Sequence, residues 1–396
     1  MAIRVLVVNA WDGASGVFTV VRSLSERLGP EGVQYSSFCF NGWSKGTRWA
    51  EICERLYSNH EVSLTEVLAR GRFDVVKLVD TACPRAYGPA VWIRRARWRG
   101  AVVCMSQNTI PEIPPGMPAD AYVACSLASK AVMERTVDSQ ISVIPNGVDT
   151  DFFYPSEVPP PPRPIVAWVG RASDRAQKDF DGFLHLASRL IPEGYSVHVA
   201  DGDGSPEVAA RVARWFGDRI KYLAKLDRAG MVSFYREVAA SGGCLVSTSN
   251  FEGLPLAALE AIACGCPVLA PSAPGFEELE RDEIGLIYQA PDGVEKAASL
   301  VRQLGNQQFR EGLVARGLQA VRGQYSLGRM ADGYMRVYQE ALDRARQRTP
   351  SFGDSLARNF WVAAIRARRF RNRVRGRLCH SELTAADSPE KIPHGR

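Results

Sequence analysis

A proline-dense run, Pro155-Ser156-Glu157-Val158-Pro159-Pro160-Pro161-Pro162-Arg163-Pro164, divides the chain, and the same alternation of short apolar runs and amphipathic stretches lies on both sides of it. Proline fixes φ and carries no N–H, so such a run joins neither a sheet nor a helix interior and acts as an extended, semi-rigid spacer. Before it, Ile3–Asn9, Val75–Asp80, Ala101–Met105 and Ala121–Ala124 read as buried strands. Between the first two, Val17–Leu28 reads as a helix with Val17, Val20, Val21, Leu24 and Leu28 on one face. After it the pattern predicts a strand at Ile165–Gly170, then strand Ser196–Ala200, helix Pro206–Phe216, strand Ile220–Leu223, helix Met231–Ala239, strand Cys244–Ser247, helix Leu254–Cys264 and strand Pro267–Ala270. Strands that alternate with helices imply an α/β class, with parallel sheets covered on both faces. Two such units joined by a linker enclose a cleft, and ligands bind these sheets at the carboxyl ends of the strands. The expected division is a first domain over 1–155, the linker over 156–164, a second domain over 165–325, a helix over 326–348 returning toward the first domain, and a basic tail over 349–396.

Composition removes several function classes. Of 396 residues, 46% are hydrophobic and 23% charged, as in a soluble globular protein. The net charge of +6 is mild, and the arginines after residue 340 supply much of it, so nucleic-acid binding is not expected. The nine cysteines are odd in number and scattered, with Cys264 and Cys266 the one close pair; no disulfide framework or zinc ribbon follows, and a reducing cytoplasm fits. The five histidines form no metal-binding spacing, and no catalytic metal is expected. Val5-Leu6-Val7-Val8 is too short for a signal-peptide core, and no run of eighteen apolar residues suggests a membrane span.

The segment from Asn250 to Gly265 carries the chemistry. Gly253 supplies a turn, Pro255 suits the first turn of a helix, Leu256, Leu259 and Ala263 form its apolar stripe, and Gly265 suits its C-terminal cap. Glu252 falls in the loop ahead of the helix and Glu260 inside it, with the free N–H groups of the first turn between them. Two carboxylates flanking an anion site suit a ligand with hydroxyls at both ends and a diphosphate in the middle, which describes a nucleotide sugar. The plainer reading is an amphipathic helix with one solvated glutamate and one turn glutamate.

Further segments point the same way. Ile144-Pro145-Asn146-Gly147-Val148-Asp149 through Pro155, Val169-Gly170-Arg171 followed by Lys178, Gly202-Asp203-Gly204, and Phe251-Glu252-Gly253-Leu254-Pro255 through Glu260 occur in that order. In order and spacing, over roughly residues 1–345, they resemble the signatures of the retaining glycosyltransferases of family 4. The resemblance implies the GT-B fold, two facing Rossmann-like domains. A nucleotide-sugar donor would be held mainly by the second domain, with Gly16, Gly170, Gly253, Leu254 and Glu260 as donor contacts, and a hydroxyl acceptor mainly by the first.

On that basis Arg171 and Lys178 are expected to meet the departing diphosphate, the former as a fork and the latter as a point charge, both exposed in the cleft. Glu260 is assigned to the ribose hydroxyls and Glu252 to the sugar hydroxyls. Gly16 closes the run Gly13-Ala14-Ser15-Gly16, where the family commonly has adjacent glycines. The family's histidine near the sugar is replaced by Met105-Ser106-Gln107-Asn108-Thr109, so Gln107 or Asn108 is expected to contact sugar or acceptor. Asp149-x-Asp151 and Asp201-x-Asp203 look like metal motifs but are read as turns, and no cofactor is expected beyond the donor. The alternatives within the fold are a nucleotide-sugar 2-epimerase and a non-catalytic nucleotide-sugar-binding subunit. In the tail, Leu356, Phe360, Trp361, Ile365, Phe370, Val374 and Leu378 recur at broadly helical intervals among arginines. That pattern suits either peripheral contact with an anionic membrane surface or packing on the enzyme.

Overall fold

The computed structural model of the chain describes residues 2–11, 16–41, 48–80, 100–109, 113, 117, 119–289 and 293–347. The tail beyond 347, Gly13 to Ser15, and most of the loops 41–48 and 108–118 lie outside the described residues.

Two parallel sheets form the frame. The first contains β1 (Ile3–Trp11), β2 (Val33–Asn41), β3 (Leu56–Ser58), β4 (Val75–Val79), β5 (Ala101–Ser106), β6 (Ala121–Ala124) and β7 (Ile141–Val143), in the spatial order β3-β2-β1-β4-β5-β6-β7. The second contains β8 (Ile165–Gly170), β9 (Ser196–Asp201), β10 (Ile220–Ala224), β11 (Cys244–Val246), β12 (Val268–Pro271) and β13 (Leu286–Tyr288), in the order β10-β9-β8-β11-β12-β13. In each sheet the winding reverses beside its first strand, between β1 and β4 and between β8 and β11. Loops diverge at the carboxyl ends of such pairs and leave a crevice. β4 and β5 are buried along their whole lengths, as strands covered on both faces must be. β2, which the apolar pattern does not announce, is Val-Gln-Tyr-Ser-Ser-Phe-Cys-Phe-Asn; it is nonetheless buried, with the Ser37 hydroxyl taking a 2.9 Å bond from Asn9 Nδ2 on β1.

Two passages of chain join the halves, and they run side by side. Val148 N–H donates to Tyr325 O and Leu327 N–H to Val148 O, both at 2.8 Å. A Cβ at Gly147 would lie 2.6 Å from Ser326 O, so glycine is there to let the two passages touch. Asp149 closes the turn by accepting from Asp151 N–H at 3.2 Å. From this crossing, helix Leu327–Gln347 lies against the first sheet. Its Tyr334, Val337, Tyr338 and Ala341 share one apolar core with Val5, Val7, Val103 and Met105. Tyr334 Oη lies 2.6 Å from Met105 Sδ and Tyr338 Oη 3.4 Å from Tyr35 Oη. Among the described residues no helix is long and apolar enough to cross a membrane.

Candidate active site in the cleft

A cavity of about 560 Å³ opens where the two reversal points face each other, lined from both halves. All the residues singled out in the sequence border it: Gly16, Gln107 and Asn108 from the first domain, and Gly170, Arg171, Lys178, Glu252, Gly253, Leu254 and Glu260 from the second.

The second-domain wall is built around one buried carboxylate. Asp201, at the end of β9, accepts from Ala172 N–H at 3.0 Å, Asp203 N–H at 3.1 Å and Ser205 N–H at 3.2 Å, and from the Tyr222 hydroxyl. It ties the loop after β8 to the Gly202–Ser205 turn. That accounts for Asp201-x-Asp203 as a turn device, since a carboxylate saturated by donors has few lone pairs left. Arg171, which follows β8, is held by Asp174 at 2.6 Å and Gln177 at 3.3 Å, with its side chain 41% exposed.

Lys178 departs from the expectation of an exposed cation. Its ammonium lies 2.5 Å from Glu252 Oε1, and the two side chains are only 19% and 11% exposed. Gln177 Nε2 adds a bond to Glu252 Oε2 at 3.2 Å and another to Phe251 O at 3.2 Å. The cation and the carboxylate that sequence reasoning treated separately are therefore one unit. The unit is fixed from behind: Glu252 N–H donates to Pro274 O at 2.8 Å, and Gly275, at φ +94, brings the backbone so close that its Cβ would stand 2.1 Å from Glu252 O.

The helix after this loop begins two residues later than the pattern suggested. It spans Leu256–Ala263, and Pro255 is its N-cap rather than part of its first turn. Proline offers no side-chain cap; Ala258 N–H turns back to Pro255 O at 3.1 Å, and the amides of Leu256 and Ala257, both bordering the cavity, are left for a ligand. At the other end, Gly265 (φ +79) donates to Ile262 O and Cys266 to Ala261 O, both at 2.9 Å, the paired bonds of a Schellman ending. Glu260, on the cavity side, takes a 3.3 Å bond from the Tyr235 hydroxyl. Burial pushes its carboxyl up to about 7, against the opposing pull of Tyr235 and of the Arg228 charge.

Arg228 was not legible in the sequence. Its guanidinium sits 4.1 Å over the Phe152 ring, pairs with Asp149 at 2.7 Å and reaches Glu26 of the first domain at 3.7 Å. Other contacts also cross the cleft. Asn146 Nδ2 donates to Leu254 O at 3.2 Å, and Glu278 Oε1 accepts from Leu127 N–H of the first domain at 2.6 Å. Gly253 packs its backbone on the Gln107 carbonyl. Gln107 is held in turn by a 2.6 Å bond from its N–H to Asp80, and Asn108 accepts from Thr109 N–H at 2.8 Å. A Cβ at Gly16 would meet nothing within 4 Å, so the described protein leaves open space at that position on the cavity rim. No group of three or more His, Cys, Asp or Glu side chains placed to hold a metal ion occurs among the described residues.

Residues 163–307 match the family described as glycosyl transferases group 1. A phosphatidyl-myo-inositol mannosyltransferase of Mycobacterium leprae is 33% identical over 287 residues, covering 69% of this chain and 75% of the relative. An alpha-maltose-1-phosphate synthase of Mycolicibacterium smegmatis is 30% identical over 200 residues, 44% of this chain and half of the relative's length. Among solved structures, HepE of Anabaena in complex with UDP and glucose superposes with a TM-score of 0.66 at 15% identity, covering 85% of this chain and 99% of that one. A sucrose-phosphate synthase of Thermosynechococcus elongatus superposes with a TM-score of 0.68 at 17% identity, covering 86% and 99%. The two facing sheets are thus those of the GT-B fold.

Proposed function

Because the chain belongs to the group 1 glycosyl transferases, we propose that it moves a sugar from a nucleoside-diphosphate sugar to a hydroxyl acceptor with retention at the anomeric carbon. The observation that carries this reading is the convergence of the Lys178–Glu252 pair, Arg171 and the uncapped start of helix Leu256–Ala263 on one wall of the cavity. These groups suit a diphosphate that gains charge as the bond from the anomeric carbon to the phosphate oxygen breaks. In the proposed step the acceptor oxygen bonds that carbon from the same face, and its proton passes to the departing phosphate. Glu252, fixed by Lys178 and Gln177, would accept from the sugar hydroxyls, and Glu260 from the ribose. No metal is part of the scheme, because the cations and helix amides meet the phosphate charge. Action in the cytoplasm, in polysaccharide, glycolipid or natural-product biosynthesis, completes the reading. Peripheral membrane contact through the tail belongs to it as well.

The test is a coupled assay of nucleoside diphosphate release with and without acceptor, followed by proton NMR of the product's anomeric configuration. Release that does not depend on acceptor, or an inverted product, overturns the reading.

The ribose role of Glu260 has a pH signature. A carboxylate accepts hydroxyl bonds better than its protonated form, so the bound ligand favours the ionised state. With the free carboxyl raised to about 7, affinity for nucleoside diphosphate is expected to hold above that pH and to weaken as pH falls below it. Glu260→Gln should weaken binding at pH 8 and flatten the profile, as read by calorimetry across pH 5.5–8. An unchanged profile would move the ribose elsewhere.

A further inference from the structure

The proposed reaction needs the two domains held in one register, and a carboxylate that the donor site does not use bears on it. Helix Leu127–Met133 of the first domain begins just past β6, with Ser126 as its N-cap. The Ser126 hydroxyl accepts from Ser129 N–H at 3.0 Å, and both serines are fully buried. Leu127 N–H, a first-turn amide, has no acceptor within its own helix. It donates instead to Glu278 Oε1 at 2.6 Å, on helix Glu277–Arg281 of the second domain. In a capping box both bonds come from one helix. Here the serine belongs to the helix and the glutamate to the opposite domain, 151 residues further along the chain.

Glu278 is only 1% exposed, and its Oε2 is buried without a hydrogen-bond partner. Burial raises its carboxyl above the ordinary range, while the bond from Leu127 N–H pulls the other way. Closing the cleft thus gives this carboxylate a bond and strips its water, and the two effects oppose. Such a contact suits a cleft that must open again to release product. The other charged contact across the cleft, Arg228 to Glu26, is longer at 3.7 Å. Its side chains are 29% and 41% exposed, so water screens it.

Both ends of the Glu278 contact lead to groups assigned to the sugar. On the first-domain side, Cys125 N–H donates to Ser106 O at 3.1 Å, beside Gln107, and a Cβ at Gly253 would lie 3.1 Å from Cys125 Sγ. On the second-domain side, Pro274 and Gly275, which precede the helix of Glu278, are the residues that fix the Glu252 backbone. Glu278 itself does not border the cavity. We propose that Glu278 is a positioning residue: by capping Leu127 N–H from the opposite domain, it sets the closed register in which Gln107 and Glu252 face the same sugar. The inference rests on the glycosyl-transfer reading.

The test compares full-length wild type, Glu278→Ala and Glu278→Gln, each saturated with UDP or GDP, whichever binds. Residue-resolved amide exchange should show Leu127 exchanging at least ~10-fold faster in Glu278→Ala, with Ser129 unchanged because its cap lies in the same domain. Glu278→Gln keeps a carbonyl acceptor and should fall between. Small-angle scattering should report a larger radius of gyration for Glu278→Ala. Its affinity for the nucleoside diphosphate should stay within ~3-fold, since Glu278 does not reach the cavity. In the nucleoside diphosphate release assay, kcat is expected to fall at least ~10-fold with KM for the donor little changed, and Glu278→Gln to recover part of the loss. Leu127 exchange alike in all three proteins, unchanged scattering, or a wild-type kcat in Glu278→Ala overturns the proposal while the donor assignment stands. Ser129 losing protection together with Leu127 overturns it as well, because Glu278 would then support the helix rather than the register. Failure of the wild type to bind either nucleoside diphosphate overturns the underlying reading instead.

Discussion

Lys178→Met is expected to lower turnover between ~10- and ~100-fold and to lower the melting temperature by several degrees, whereas Lys178→Met combined with Glu252→Gln recovers the melting temperature but not the turnover. The first loss arises because the ammonium supplies a charge-assisted bond to the departing diphosphate, worth roughly 1.5–3 kcal/mol. The second arises because Glu252, 11% exposed and 2.5 Å from the ammonium, is left as an uncompensated carboxylate. In a full interior, breaking such a pair costs about 3–5 kcal/mol, while replacing both partners is often neutral. Residual solvent at this site puts the expected cost at the lower end. Thermal unfolding and steady-state assays on the two single variants and the double variant make the comparison. Turnover that returns together with stability in the double variant would reduce Lys178 to a support for its neighbour.

Gly253→Ala should cut turnover by ~100-fold or more while changing the affinity for nucleoside diphosphate by less than ~3-fold. The added Cβ would stand 1.9 Å from the Gln107 carbonyl oxygen and 2.7 Å from its carbon. Both are backbone atoms of the opposite domain, with no flexible side-chain end to swing away. The two walls must part, and a displacement of about 1 Å between reacting groups is enough to cost ~10²-fold. Apart from Gly16, the groups assigned to the donor stand on the second domain and move together, so calorimetry with nucleoside diphosphate should see little. Small-angle scattering of the ligand complex should report a wider molecule. Undiminished turnover would show that the halves meet differently during catalysis.

The strands were legible where apolar residues run unbroken, as in Val5–Val8 and Ala101–Met105, because burial on both faces leaves polar side chains few places. β2 was not, because Ser36 and Ser37 interrupt its pattern and their burial depends on partners such as Asn9 on another strand. The donor motif was legible because its parts lie close together in sequence. What escaped were pairings across long separations: Lys178 with Glu252, Arg228 with Glu26 and Asp149, and Glu278 with the Leu127 amide. Arg228, Glu26 and Glu278, taken alone, read as ordinary polar surface residues, and Lys178 and Glu252 carry no sign in the sequence that they pair with each other. The start of helix Leu256–Ala263 was placed two residues early because the apolar Leu254 suggests helix, whereas its backbone carbonyl is engaged by Asn146 and its side chain is buried in the second-domain core.

Helix Leu327–Gln347 has a consequence for how this protein is made. It covers the first sheet, and Tyr334, Tyr338 and Ala341 are fully buried there. A ribosome delivers the seven strands of that sheet well before this helix, with the whole second domain synthesised in between. Until then the nascent first domain exposes the apolar face around Val103 and Met105 that the helix will occupy. The second domain, complete in sequence by about residue 323, can close its own core first. Synthesis from the amino end is therefore followed by consolidation from the carboxyl end, and a chain stopped before Leu327 would present an uncovered surface to chaperones and proteases.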